Sequence, residues 1–466
     1  MEVLFCVENF GKIEHAEIAL GNFTLFVGEN NSGKTFMMQL LYGLIKDLHL
    51  QQPTTDGIEK AENNRLVFGE AWFRNLESQI NDYLNKNKDN MIKKIFHRSI
   101  PIDKLSIRLT TIDETYECRI SDYQYDHNDG KNRDNVDIVK QSVGRMVNVT
   151  AIDSDSGATK HSSSILFQFY PDMDSLKKRM AARIWKQILV YRKPFSADAL
   201  FLPASRTGLQ LLNKYFFAER DKRVVDEIDE FNFGDEDDRA ERNAWENEIG
   251  LTSPVYDFLQ FLLRYGPKSV IGPQDNALLK FIEEHLIDGR VKQIGEEFFY
   301  QPNQAKEEIP IYLASSLVNE IAPIVKVLSG KNDYRYIFYD EIETCLHPLK
   351  QGEMARLIIR LVNSGRRMVV STHSDTMASK LNNLLLLSFS GDSEELLRSK
   401  IERLKLEKED VLMKKNVHVY QFVNQPDGRS RVEELPFQTV PYVGYDFNLF
   451  MKNMDELYDE TEIILE

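Results

Sequence analysis

The chain has 466 residues, of which 42% are hydrophobic and 28% charged, and its formal net charge at pH 7 is −15. This length suffices for one nucleotide-binding domain with a substantial second lobe. The excess of acidic residues argues against a protein that binds nucleic acid over a wide surface, because the neutralisation of phosphates by basic residues supplies most of the affinity for nucleic acid.

The three cysteines are far apart and form no CxxC motif, which argues against a disulfide framework or a zinc site and favours a reducing compartment. No apolar run approaches the roughly 20 residues that a transmembrane helix needs. The opening MEVLFCVENFGKIEH has no basic region before an apolar core, so we expect no secretory signal. A cytoplasmic protein without a membrane segment is therefore expected.

The first fifty residues predict the start of an α/β domain. VLFCVENF, AEIAL and FTLFV are typical of short strands, separated by turn-like GK and GN pairs. The third strand leads into GENNSGKT at residues 28–35, which fits the P-loop pattern G-x-x-x-x-G-K-[ST]. FMMQLLYGLIKDLHL, which follows the motif, has the apolar spacing of a helix. A P-loop requires this context of a strand before it and a helix after it.

The P-loop predicts a site for the phosphates of a nucleotide. Gly28 and Gly33 let the backbone wrap close to phosphate, so that consecutive N–H groups face it at a helix N-terminus. Lys34 would bridge the β- and γ-phosphates, and Thr35 would hold Mg²⁺. The predicted nucleotide-binding residues are Gly28, Glu29, Asn30, Asn31, Ser32, Gly33, Lys34 and Thr35.

The middle of the chain predicts two insertions. Residues 57–98 have a polar, helical pattern, whereas 101–170 alternate and are rich in β-branched and aromatic residues, which predicts a β-rich lobe. Within that lobe the polar segment 126–135 is a hairpin tip or a disordered loop. A helix is predicted at 173–192, and a buried strand with a loop at 199–209.

Two features of the next segment have alternative interpretations. Arg206, in the sequence PASR, would contact phosphate, lie at an interface or form an internal salt bridge. Residues 209–290 predict mostly helix and contain an acidic run at 226–248. That run is either a solvated surface segment or an acidic docking surface for a basic partner or a DNA mimic.

Later segments predict a return to a parallel α/β core. Residues 309–328 predict a strand, a loop and a helix. YIFYDE at 336–341 is a hydrophobic strand ending in carboxylates, and RRMVVSTHSD at 366–375 is a strand ending in polar residues, with a helix between them. Residues 394–415 predict one charged helix.

The polar residues that end these two strands predict catalytic chemistry. Asp340 would reach Mg²⁺ directly or through water, and Glu341 would orient and deprotonate the attacking water. His373 follows the next strand, where it would contact the γ-phosphate. The predicted catalytic residues are therefore Glu341 and His373, and the predicted metal ligands are Thr35 and Asp340.

GENNSGKT, LASSLVNE, DEIETCLHPLKQ and STHSD resemble, in content and order, the motifs of ABC-type ATPase heads. They look most like the branch that contains OLD-family, RecF-like and SMC-like ATPases, and within it like the stand-alone ATPases of bacterial antiphage loci of the PARIS and Septu types. ENFGKIEHAEI and FLPASRTGL also resemble that group. The resemblance implies an α/β fold, an ABC-type P-loop ATPase head with a β-rich lobe and helical insertions.

The resemblance covers residues 1–50, 199–215 and 305–390, and most of the chain between these ranges is not carried by it. Together with the sequence patterns it predicts six segments. Parts of the head lie at 1–50, 199–215 and 305–390, a helical and β-rich insertion at 51–198, a helical insertion with the acidic run at 216–304, and a C-terminal helix with a small α/β tail at 391–466. OLD-family members carry a C-terminal TOPRIM nuclease. The residues after STHSD show no glutamate-then-DxD arrangement on strands, so a nuclease is expected on a separate chain.

In that family two heads sandwich two ATP molecules, and a serine of the signature loop on one head touches the γ-phosphate held by the other. Here the loop would be Ala314-Ser315-Ser316, although both serines also fit a plain helix N-cap with Glu320 nearby. Glu343 to His347 would cross the dimer interface, and His373 would be the switch histidine. A Q-loop glutamine is not placed.

The resemblance implies an ATP- and Mg²⁺-dependent homodimeric switch with slow or partner-regulated ATPase activity. It would be the ATPase and sensor subunit of an antiphage defence system that controls a separate effector, a nuclease or toxin. One alternative is a RecF-like DNA-repair ATPase that binds DNA itself when ATP is bound, through a local basic patch such as KKRMAARIWK. Another is a nucleotide-dependent scaffold that hydrolyses slowly or not at all.

Overall fold

The fold is described from a computed structural model. The described residues are 2–61, 64–110, 114–131, 137–153, 156–167, 171–190, 199–213, 250–294, 297–413, 416–438 and 444–447. They form two compact units. The smaller unit comprises Met1–Cys6, Asp47–Lys88 and Lys104–Phe195, and the larger comprises Val7–Lys46, Asp89–Asp103 and Ser196–Glu466.

The strands in chain order are β1 (Glu2–Phe10), β2 (Ile13–Ala19), β3 (Phe23–Gly28), β4 (Ile58–Ala61), β5 (Arg65–Phe68), β6 (Lys104–Thr110), β7 (Glu114–Lys131), β8 (Asp137–Asp153), β9 (Thr159–Phe167), β10 (Ala199–Leu202), β11 (Gly289–Ile294), β12 (Glu297–Pro302), β13 (Ile309–Pro310), β14 (Tyr336–Tyr339), β15 (Arg367–Thr372), β16 (Val417–Asn424) and β17 (Ser430–Glu434). The α-helices are α1 (Lys34–Leu50), α2 (Glu70–Phe96), α3 (Met173–Val190), α4 (Ser253–Leu263), α5 (Pro273–Phe281), α6 (Ser316–Ser329), α7 (Pro348–Asn363), α8 (Asp375–Phe389) and α9 (Glu394–Arg403).

The larger unit is built around a sheet with the strand order β10–β14–β15–β3–β16–β17–β2–β1. From β10 to β16 every neighbouring pair is parallel, so the carboxyl ends of these strands meet at one edge. In open parallel sheets, ligands bind at that edge.

Both faces of this sheet are covered, as its apolar strands FTLFVG, ALFL and YIFY require. On one face α6, α7 and α8 join the strands in a single apolar core. On the other face Tyr42 of α1 contacts the rings of Phe201 and Phe338. These contacts hold the ends of β3, β10, β14 and β15 in fixed positions.

The smaller unit contains an antiparallel sheet with the order β4–β5–β7–β8–β9. Trp72 of α2 packs edge-on against Phe68 of β5, and its indole N–H donates to the carbonyl of Thr54. The predicted β-rich lobe is therefore confirmed, and the predicted α/β fold class is confirmed with it. Of the segment predicted as a hairpin tip or a disordered loop, residues 126–131 belong to β7, which pairs with β8, and residues 132–135 lie outside the described residues.

Two predicted helices were wrong in extent. Residues 57–98 do not form helix throughout, because β4 and β5 precede α2 and β5 pairs with β7. The helix predicted at 394–415 ends at Arg403. There Lys405 adopts a positive φ of 55°, and the N–H of Leu406 donates to the carbonyl of Ile401. This bond gives a carbonyl of the last helical turn a partner, as in a Schellman motif.

The acidic run at 226–248 lies outside the described residues. In the part of the chain that the structure describes, no helix has the length and apolar character needed to cross a membrane.

Candidate functional site

The loop at residues 28–35 joins β3 to α1 in the geometry that its glycines permit. Gly28 and Gly33 have φ angles of 147° and 96°, and Asn31 has a φ of 57°. A Cβ on Gly28 would lie 2.2 Å from the carbonyl oxygen of Phe422 on β16. Position 28 therefore requires glycine both for its backbone angle and for the close approach of β16. The loop ends at the N-terminus of α1, a site suited to an anion.

Lys34 is buried inside this loop. Its Nζ donates to the carbonyl oxygens of Gly28, at 2.9 Å, and Glu29, at 2.7 Å. Burial lowers the pKa of Lys34, and nearby carboxylates, chiefly Asp340, oppose that shift. The side chain thus places a poorly hydrated ammonium group at the N-terminus of a helix, where both features favour phosphate.

Thr35 and Asp340 meet at the edge of the sheet. Thr35 Oγ1 donates to Asp340 Oδ2 at 2.8 Å, and Ser371 Oγ donates to Asp340 Oδ1 at 2.5 Å. Burial raises the pKa of Asp340, and these two hydrogen bonds counteract the shift. A hydroxyl and a carboxylate are the hard oxygen ligands that Mg²⁺ prefers.

Among the described residues no group of three or more His, Cys, Asp or Glu side chains can hold a metal ion alone. Mg²⁺ is ordinarily bound through one or two carboxylates together with substrate phosphates and water. The pair Thr35 and Asp340 fits that arrangement.

Glu341 has a strained backbone, with a φ of 46°. The left-handed conformation costs a non-glycine residue about 1–2 kcal/mol, and such strain clusters at active sites. Hydrogen bonds on both sides hold it: its N–H donates to Ser371 Oγ at 2.8 Å, and its carbonyl accepts from Arg206 Nη2 at 2.9 Å and from Thr344 Oγ1 at 2.9 Å.

His373 is tied to Glu343. Glu343 Oε1 accepts from the backbone N–H of His373 at 2.7 Å and lies 3.0 Å from its Nδ1. The hydrogen bond to Glu343 raises the pKa of His373. Burial alone would raise the pKa of Glu343, but the hydrogen bonds from His373 outweigh it and lower that pKa. The two residues form a pair in which each favours the charged state of the other.

Replacing His373 with alanine is expected to destabilise the protein more at about pH 5.5 than at about pH 9. A pKa of His373 raised above 6.5 gives stabilisation that is complete below pH 6.5 and is lost as pH rises through the folded-state pKa. A pKa of Glu343 lowered below 4.5 gives stabilisation that is complete above pH 4.5. Both contributions to the free energy of unfolding are therefore fully present between pH 4.5 and pH 6.5.

The ring of His373 is 38% exposed, so solvent screening limits the difference to at most about 1 kcal/mol. Free energies of unfolding from denaturant titrations at the two pH values measure it. His15→Ala, at an exposed position of β2, is the control. An equal loss of stability at both pH values in His373→Ala would contradict the charged pair.

The two signature serines lie at the start of α6, and both are exposed. Ser315 is the N-cap, and its side chain accepts the N–H of Val318 at 3.4 Å. The capping alternative therefore holds for Ser315, and Ser316 begins the helix. Within the described residues, no hydrogen bond joins either serine to the P-loop.

Sequence reasoning missed two residues that support the P-loop. Lys12, between β1 and β2, donates to the carbonyl of Asn31 and to Asn424 Oδ1 at 2.7 Å. Asn424, which ends β16, donates to Glu29 Oε2 at 2.7 Å and to the carbonyl of Asn30 at 3.3 Å. No local pattern marks either residue: the pairing of β16 with β3 brings Asn424 to the loop, and Lys12 lies beside β17, where its carbonyl accepts the N–H of Ser430.

Arg206 is also part of the site. Of its three sequence interpretations, the structure supports the internal salt bridge, because the side chain is fully buried and pairs with Glu320 of α6. It also donates to the backbone carbonyls of Asp340 and Glu341.

A family model described as an AAA ATPase domain matches residues 4–189 and 210–378, well over half of the chain. No curated protein matches the chain in sequence. Among solved structures, an Smc head domain with an extended coiled coil, bound to the C-terminal domain of ScpA, from Pyrococcus furiosus is 12% identical. The match covers 98% of both chains, with a TM-score of 0.35.

The SMC head domain from Thermotoga maritima is 10% identical over 94% of this chain and 100% of that one, with a TM-score of 0.33. At these identities and TM-scores, neither structure bears on what this chain does. The family match is the comparison that identifies the chain.

Proposed function

The chain belongs to the AAA ATPase domain family, and we propose that it is a Mg²⁺-dependent ATPase that works as a homodimeric switch. One observation carries the proposal. Thr35, Asp340, Ser371 and the backbone of Glu341 form a continuous chain of hydrogen bonds beside the buried Lys34. This arrangement supports the proposal, because a loop suited to phosphate, a carboxylate suited to Mg²⁺ and an acid suited to activate water lie together at one edge of the sheet.

Each residue would have a distinct role in the reaction. The backbone N–H groups of residues 28–35 and the Lys34 ammonium would bind the phosphates. Thr35 and Asp340 would hold Mg²⁺, which supplies charge neutralisation for the transferred phosphoryl group. Glu341 would accept the proton of the attacking water. His373 would donate a hydrogen bond to the terminal phosphate, and Glu343 would hold its ring in place.

The dimeric part of the proposal is supported by exposed residues. Tyr312 and Leu313, just before the signature serines, are 62% and 66% exposed, and Leu349, just after the Glu343–His347 segment, is 79% exposed. The two loops that the resemblance assigns to a dimer interface thus present large apolar side chains. We propose that a second copy of the chain covers them when ATP is bound.

Steady-state phosphate release and light scattering on the wild-type chain test this proposal. We expect hydrolysis that requires Mg²⁺ and a shift towards twice the apo mass when ATP and Mg²⁺ are both present. EDTA is expected to abolish both effects. A chain that releases no phosphate under these conditions would overturn the ATPase proposal, and one that hydrolyses ATP without any change of mass would overturn the dimeric switch.

We further propose that the switch controls a separate effector protein in antiphage defence. This rests on the motif resemblance and on the sequence after STHSD, which shows no glutamate-then-DxD arrangement on strands. Affinity purification of the tagged chain from its native host, with and without ATP, is the test. Recovery of a nuclease or toxin encoded beside it supports the proposal. Recovery of the chain alone, from a locus without such a neighbour, counts against it.

A further inference from the structure

A buried ion pair joins α6 to the segment that follows β10. Arg206 and Glu320 have side chains that are 0% and 1% exposed, and Arg206 Nη2 contacts Glu320 Oε1. Thr207 Oγ1 donates to the other carboxylate oxygen of Glu320 at 2.7 Å. Both oxygens of Glu320 therefore contact two consecutive residues of one segment, which ties the position of α6 to that segment.

The same guanidinium holds the backbone that follows β14. Arg206 Nη1 donates to the carbonyl of Asp340 at 2.6 Å, and Nη2 donates to the carbonyl of Glu341 at 2.9 Å. The guanidinium carbon lies over the ring of Tyr339, 4.5 Å from the ring centre. These contacts hold the backbone of Asp340 and Glu341, and Glu341 is the residue with the strained, positive φ.

We infer that Arg206 is a positioning residue that couples the position of α6 to the backbone of Glu341. The inference rests on the function proposed above and deepens it. The N-terminus of α6 carries the exposed Ser315 and Ser316, four to five residues before Glu320. A contact made there by a second copy of the chain would shift α6, and the rigid, planar guanidinium would pass that shift to Glu341.

The chemistry of the pair suits this role. A buried ion pair has little water to compensate for a displaced partner, so the two charges stay together when one of them moves. A lysine at position 206 would provide a point charge and could not reach two carbonyls and a carboxylate in one plane. The two matched ranges of the family model leave out residues 190–209, which contain Arg206.

The first experiment changes only the α6 end of the bridge. Glu320→Gln changes no side chain that contacts Asp340 or Glu341 directly. We nevertheless expect the amide hydrogen exchange of residues 341–346 to become faster by about threefold or more. This measurement requires no turnover. Arg366→Met, which breaks the buried pair between Arg366 and Asp275 in the same unit, is the matched control and is expected to leave that exchange unchanged. Unaltered exchange in Glu320→Gln would overturn the inference.

The second experiment separates positioning from stability. A double variant, Arg206→Met with Glu320→Met, replaces the pair by apolar side chains of similar length, a change that often preserves folding. We expect a folded protein with a lowered melting temperature, because the carbonyls of Pro203, Asp340 and Glu341 lose a donor. We also expect an unchanged Kd for ATP within about threefold, and a kcat lowered by about tenfold or more. A double variant that folds and turns over like wild type would overturn the inference. If the wild-type chain itself does not hydrolyse ATP, the proposed function is overturned instead. The hydrogen-exchange measurement on Glu320→Gln would then still test the coupling between α6 and Glu341.

Discussion

Replacing Lys34 with alanine is expected to raise the Kd for ATP by at least about a hundredfold, which corresponds to about 2.8 kcal/mol. The variant loses a buried ammonium group that lies within the loop at the start of α1, where charge-assisted hydrogen bonds to phosphate are strong. Equilibrium titration with a fluorescent ATP analogue measures the change. The folded state is not expected to suffer, because the substitution removes a charge whose burial is unfavourable.

Lys46→Ala is the matched control for this measurement. Lys46 belongs to the same helix, but its side chain is 45% exposed and pairs with Asp257. The control is expected to bind ATP within about threefold of wild type. If Lys34→Ala also stays within threefold while remaining folded by circular dichroism, the P-loop is not the nucleotide site and the proposed function is wrong.

Glu341→Gln is expected to lower the rate of hydrolysis by about 10² to 10⁴, the usual contribution of a general base. The amide cannot accept the proton of water, but it matches the carboxylate in size, and the backbone contacts of Glu341 do not involve its side chain. Binding of ATP should therefore persist, and an ATP-bound dimer should accumulate. Single-turnover phosphate release and light scattering with ATP and Mg²⁺ measure the two effects.

Glu395→Gln, an exposed acid in the first turn of α9, is the control and should match wild type in both measurements. A Glu341→Gln protein that keeps its apo mass in ATP and Mg²⁺ would contradict the ATP-sandwich model. If wild type and variant are equally inert, the chain is a nucleotide-dependent scaffold, and only the binding part of the proposal survives.

Local sequence predicted the parts of the fold and of the candidate site that depend on neighbouring residues. The strand before GENNSGKT, the helix after it and the strands before Asp340 and His373 lie where their patterns placed them. A buried parallel strand is a run of apolar residues, and polar residues at its carboxyl end are conspicuous. The structure brings Thr35 to Asp340 because these strands are neighbours in one sheet.

Contacts between distant segments could not be predicted in this way. Arg206 is one arginine among many charged residues, and nothing nearby in sequence indicates that it would bridge Glu320 and the backbone of Glu341. Asn424 lies in a segment interpreted as a C-terminal tail, yet β16 pairs with β3 directly. Ser371 was part of the motif STHSD, but its bonds to Asp340 and Glu341 depend on the parallel register of β14 and β15.

The pairing of β3 with β16 also dictates when the site can first exist during protein synthesis. The P-loop leaves the ribosome before β16, and Asn424, which bonds to Asn30, lies 394 residues later. At about 5–20 residues per second, that interval lasts about 20–80 s. Throughout this time the edge of β3 that pairs with β16 has no native neighbour, so the loop at residues 28–35 lacks its contacts with Asn424. The surroundings of this loop are therefore complete only after β16 has been synthesised, which makes the approach of Phe422 to Gly28 a late step of folding during synthesis.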